Sequence, residues 1–158
     1  MDISQIIIGL LYGMVVSLGV GSSTLALTFY LLALRDGVID EAERAHLGIV
    51  YVVLRVVMVL VLILLAVRTM IGGFFGEYIW FTWLLVGVLY GNATLMTLHK
   101  MSMKIGPALQ ASTWYALGIS TLLLPLSFRF SIYAISYICF ILISIIAIEI
   151  VRRFLIRN

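Results

Sequence analysis

The sequence predicts an all-α integral membrane protein: a compact bundle of about five transmembrane helices, amino terminus out and carboxyl terminus in. Three observations carry that expectation. Hydrophobic residues make up 64% of the 158 positions and charged ones 11%, which leaves too little polar surface to hydrate a soluble domain of this size. The apolar residues fall into long runs, and a run of about 20 spans a hydrocarbon core of about 30 Å at about 1.5 Å per helical residue. The basic residues gather at the ends of those runs and mostly on one side of them. The whole chain, 1–158, reads as one transmembrane domain.

The first helix is expected over about 3–34. As a straight rod it would measure about 48 Å, well over the hydrocarbon thickness, so it must tilt, bend or protrude. Gly19 to Ser23, with two glycines and two serines, is the expected bend, because glycine weakens a helix and serine hydroxyls can satisfy freed carbonyls. Gly9, Gly13, Ser17 and Gly21 recur every fourth residue and form a ridge without bulk, suited to close approach by another helix. With Asp2 and no basic residue before Arg35, this segment lacks the basic start of a cleavable leader and is expected to stay in place.

The turn from Arg35 to Arg44 closes one helix and opens the next. Gly37 can adopt the left-handed conformation at a helix end, Asp40 can cap the following helix, and Glu43 stands in the reciprocal position. These acids lack the alternating oxygen ligands of a calcium loop. The second helix is expected over about 41–67, followed by a glycine-rich turn and an aromatic cluster of Phe74, Phe75, Tyr78, Trp80, Phe81 and Trp83. Such aromatics suit the headgroup boundary. The third helix is expected over about 78–98, the fourth over about 107–125 with Pro107 at its start, and the fifth over about 131–153.

Orientation follows from charge. Arg35, Arg44, Lys100, Lys104, Arg152, Arg153 and Arg157 would share one side, and only Arg68 and Arg129 the other. Basic residues accumulate on the cytoplasmic side, so the first and third turns and the carboxyl terminus are expected inside an inner or plasma membrane. Basic side chains at segment ends point to lipid headgroups as partners and away from nucleic acid. The one cysteine, Cys139, lies within an apolar run and excludes an intrachain disulfide or a thiolate metal cluster.

The remaining basic residue, Arg55, interrupts an otherwise apolar stretch eleven residues after Arg44, about 16 Å along the helix. Near the bilayer centre a guanidinium cannot shed its proton, so it must face protein, water or a bound anion. At about 100° per residue, Arg44, Gly48, Tyr51 and Arg55 fall on one face. Depth places Ser22 and Ser23 of the first helix and Thr113 and Tyr115 of the fourth near Arg55, with Asn92 of the third slightly nearer the cytoplasm. All are neutral, and the acid Glu149 has Arg152 and Arg153 as its natural neighbours. Further polar stripes, Gln110, Thr113, Ser120 and Thr121 in the fourth helix and Tyr133, Ser136, Tyr137 and Ser144 in the fifth, suit interhelical hydrogen bonds or a narrow polar path.

The function expected from these residues is a small oligomeric transporter or channel-like protein that uses Arg55, with Tyr51, Arg44, Asn92, Ser22, Ser23, Thr113 and Tyr115, to contact a small anionic ligand. Self-association through the small-residue ridge, or a partner membrane subunit, is expected because so few helices enclose little space. Two alternatives stand beside it: a protein that binds haem b through His46 or His99, and an accessory subunit of a membrane complex with no ligand of its own. No metal site or cofactor is otherwise expected. Catalysis is not expected either, since no His-Glu-x-x-His, serine–histidine pairing, paired acids at one depth or phosphate-cradling glycine loop is present.

Overall fold

The computed structural model describes residues 3–36, 41–72, 76–98, 100–101, 105–122 and 128–157. Five helices follow in order: α1 Ile3–Asp36, α2 Glu41–Gly72, α3 Glu77–Thr97, α4 Gly106–Leu122 and α5 Phe130–Arg157. Among the described residues there is no strand. Four of the helices, α1, α2, α3 and α5, are long and apolar enough to cross a membrane. The fourth has 17 described residues, about 25 Å of rise. The expected turn chemistry at Gly37 and Asp40, the aromatics Phe74 and Phe75, His99, Lys104 and Pro125 lie outside the described residues, as does the side chain of Glu43.

Pair contacts set the directions of the helices. Arg68, near the end of α2, reaches Tyr12, near the start of α1, while Phe29 of α1 stacks on His46 at the start of α2. These two helices therefore run antiparallel. Asn92, late in α3, bonds to Gly106 and Gln110, early in α4. In contrast, α3 and α5 start together: the Phe130 backbone N–H donates to Glu77 at the head of α3, and Phe81 stacks on Tyr133 with ring centroids 5.1 Å apart. With α4 beginning where α3 stops and α5 beginning where α3 begins, α4 carries the chain from one end of the bundle to the other.

Around α4 the packing is densest. Trp114 is 0% exposed, and with Tyr12, Val16, Val57, Val61, Leu65, Leu85, Leu89 and Leu117 it fills the centre. The α1–α4 crossing depends on absent side chains. A Cβ at Gly19 would overlap the Trp114 ring, and one at Gly118 would come within 3.2 Å of Val20 Cγ2. Close approach of this kind lets helices gain contact without large side chains between them. The expected ridge is elsewhere: Gly9, Gly13 and Gly21 have nothing within 4 Å of their missing Cβ positions, and Ser17 is exposed. Helix α1 also continues unbroken through Gly19–Ser23. Gly19 in that stretch is a flat contact for the indole, and Ser22 and Ser23 are buried.

The outer surface of the bundle is apolar. Leu10, Met14 and Leu18 of α1, and Ile135, Ile138, Leu142, Ile143 and Ile146 of α5, are all exposed. In water such a surface would aggregate; in lipid it is the surface that belongs outside. The aromatic cluster at the start of α3 divides. Trp80 faces outward, whereas Phe81 is buried against Tyr133 and Tyr137, because α5 packs along that face of α3.

Candidate functional site

On α2 the residues Leu54, Val57, Met58, Val61 and Leu65 are buried against the bundle, and Tyr51, Val52, Val56, Val59 and Leu60 are exposed. Arg55 is exposed with the second group. It makes no hydrogen bond or ion pair with any described residue. Arg44, Gly48 and Tyr51 share its outward face, as their spacing along the helix requires. The stripe therefore exists, and it lies on the outside of the single chain. Around Arg55 the neighbouring surface is valine and leucine, with Val52 59% and Val56 54% exposed.

The other residues expected around Arg55 are bound up elsewhere. Asn92 is buried, its Nδ2 donating to the Gly106 carbonyl at 2.9 Å and to Gln110 Oε1 at 3.0 Å. Its Oδ1 has no partner. Thr113 and Tyr137 share a hydrogen bond of 2.7 Å across α4 and α5, and Thr24 and Tyr115 share one of 2.7 Å across α1 and α4. Ser22 and Ser23 are buried in α1. Thus Tyr51, Arg44 and Arg55 form one outward group, whereas Asn92, Ser22, Ser23 and Thr113 are buried within the bundle and Tyr115 meets the exposed Thr24 at its edge. The reason is helical phase: equal depth places residues at one level, but only the packing of α1 and α3 against α2 decides which side Arg55 takes.

The polar stripes behave as interhelical and backbone hydrogen bonds. Ser120 and Thr121 return their hydroxyls to the Leu117 and Gly118 carbonyls, at 2.8 and 2.6 Å. Local bonds of this kind satisfy hydroxyls within an apolar helix. His46 stacks on Phe29 and places Nδ1 2.6 Å from the Ala42 carbonyl oxygen. Glu149 pairs with Arg153 at 3.1 Å on the exposed end of α5. Among the described residues no group of three or more His, Cys, Asp or Glu side chains is gathered as a metal site would require.

A further arginine of α2 is placed where depth alone does not point. Arg68, just past the expected end of the second helix, is half-buried with its guanidinium carbon 5.5 Å from the ring centroid of Tyr12 and 5.6 Å from that of Tyr78. Both tyrosine hydroxyls are buried and lack a hydrogen-bond partner. One signal was present in the spacing. Arg68 follows Arg55 by 13 residues, which turns it about 220° around the helix and so onto the opposite face.

What Arg55 offers chemically is the holding of an anion. The guanidinium of Arg55 is a permanent cation with donors and no acceptor, fit to hold a carboxylate or phosphate oxygen pair and unfit for proton transfer. No protein-family model, curated protein or solved structure matches the chain.

Proposed function

We propose that this is a multi-pass inner-membrane protein that works as an assembly of subunits, contacting an anion through Arg55 at the seam between them and serving transport or permeation. The observation that carries the proposal is Arg55 itself, exposed and without a partner among the described residues, midway along an apolar helix surface. Leaving an arginine at the bilayer centre against lipid costs at least about 2.5–3.5 kcal/mol. A neighbouring subunit that covers this face and supplies or admits an anion removes that cost. The stripe from Arg44 to Arg55 would then line the seam from the cytoplasmic boundary to mid-membrane, with the amino terminus outside and the carboxyl terminus inside as the seven-to-two distribution of basic residues implies. For α4, with 17 described residues, this topology needs a fifth crossing, and its end-to-end course supports one.

A second reading is favoured by the filled interior around Trp114. There the protein is an accessory subunit, and the anion is a carboxylate on a helix of a different membrane protein.

Reconstitution separates the two. Vesicles loaded with chloride, acetate or inorganic phosphate should pass at least one of them through the wild-type protein. We expect Arg55→Leu to lower that flux more than tenfold while the subunit assembly persists. Equal flux in the variant would remove Arg55 from the activity. Absence of flux, together with an Arg55-dependent crosslink from a photoreactive residue at Val56 to a neighbouring chain, would establish the accessory reading.

A further inference from the structure

We infer that Arg68, Tyr12 and Tyr78 form a second anion site, separate from Arg55, which takes a phosphate-type oxyanion at the end of the bundle where α2 stops and α3 begins. Arg68 lies four residues before Gly72, the last residue of α2, and Tyr78 is the second residue of α3. The guanidinium stands over two aromatic rings, 5.5 and 5.6 Å from their centroids. Ring faces attract a cation but accept none of its N–H groups in directed hydrogen bonds. No described carboxylate pairs with Arg68. The charge is positioned, then, and its donors remain unused.

The hydroxyls complete the case. Tyr12 is 0% exposed, and its hydroxyl and that of Tyr78 are buried without a partner. Buried hydroxyls in folded proteins nearly always have one. A cation and the two O–H donors of the rings beneath it share one need, an acceptor with several lone pairs and negative charge. A phosphate meets it: two oxygens can take the guanidinium fork and others the phenolic hydrogens. Water would satisfy the hydroxyls but leave the charge uncompensated, and a carboxylate has fewer oxygens for three donor groups. Position agrees with this chemistry, since the end of a membrane-spanning helix lies at the level of the lipid phosphates. The phosphate can therefore come from a phospholipid headgroup or from solution.

The test uses the full chain purified in a maltoside detergent free of phosphate and phospholipid. Thermal unfolding is followed in two arms, one titrated with inorganic phosphate and one with a short-chain phosphatidylglycerol below its micelle concentration. Saturable stabilisation in the first arm identifies free phosphate, and in the second a headgroup; either supports the site. Arg68→Gln should abolish the effect, and Tyr12→Phe with Tyr78→Phe should weaken it at least about tenfold, as expected when hydrogen bonds to a charged group are lost. The phenylalanines keep both rings under the guanidinium, so the unliganded unfolding temperature should hold; each single variant is measured alongside to secure a folded sample. Arg55→Leu should leave the part of the stabilisation that Arg68→Gln removes unchanged. Lack of saturable stabilisation in both arms, or wild-type binding by the tyrosine variants, would overturn the site.

Discussion

Of the three arginines on helix α2, Arg55 and Arg68 have opposite surroundings. Arg55 faces outward among exposed valines and finds no partner among the described residues, whereas Arg68, about 20 Å further along, turns inward and lies over the rings of Tyr12 and Tyr78. Sequence gives both the same chemistry. Their difference comes from the neighbours: α1 and α3 cover one side of α2 and leave the other bare. An arginine on the covered side near a helix end can be held by aromatic faces and still reach the boundary. One at mid-depth on the bare side is, on the proposed reading, completed by something outside the chain. The pair shows that a charged residue in an apolar helix is read by face as well as by depth.

The sharpest way to break this comparison is to move the charge across α2. Val57, two residues from Arg55 and 0% exposed, packs into the core, so Val57→Arg should prevent accumulation of the folded bundle, a loss of at least about 3 kcal/mol. A Val57→Arg protein that unfolds at the wild-type temperature would show that the two faces of α2 are not distinct. By contrast, Arg55→Leu should leave the isolated chain at least as stable in detergent, since it removes an uncompensated charge from an apolar surface; thermal unfolding followed by helical circular dichroism measures it.

Glycine positions extend the same contrast to α1. Gly19→Leu drives a side chain into Trp114 and should destabilise the bundle by about 1–3 kcal/mol or more, because overpacking a filled interior forces neighbours to shift. Gly13→Leu, on the open face, should leave unfolding unchanged and weaken self-association, read by light scattering in detergent. An oligomer unaffected by Gly13→Leu would take the α1 ridge out of the subunit contact and leave only the proposed seam on the Arg55 face of α2. Arg68→Leu should cost about 1–2 kcal/mol through loss of its attraction to the two rings. The smallest effect is expected at Glu149, whose pair with Arg153 is exposed: Glu149→Gln should change stability by less than about 1 kcal/mol.

The helices were legible because length and apolarity act locally. The expected ranges and the observed ones coincide within a few residues for all five at their starts, while α2 and α5 run on past their expected ends at Val67 and Arg153 to Gly72 and Arg157. A basic residue near a boundary does not stop a helix; it marks where the surroundings change from lipid to headgroups. The phase relation within the Arg44–Gly48–Tyr51–Arg55 stripe was legible for the same reason, since it depends only on helical pitch.

The site was less so. Depth places Thr113, Tyr115, Ser22, Ser23 and Asn92 near one level, yet depth carries no information about rotation, and the structure ties several of them into seams with Tyr137, Thr24 and Gln110. The small-residue ridge shows the same limit. Its period of four was visible in Gly9, Gly13, Ser17 and Gly21, but the indole of Trp114 settles against Gly19, which belongs to a different face of α1.

By itself the sequence determined that the chain is helical and apolar enough for a membrane, where each helix begins, and that one arginine must sit deep within an apolar run. Those properties follow from composition and pitch along a single helix. Only the tertiary structure decided that Arg55 looks outward, that Arg68 lies between two tyrosines, and that Gly19 takes the closest approach. Each of these depends on which faces of different helices meet, a choice made by packing between residues far apart in the chain.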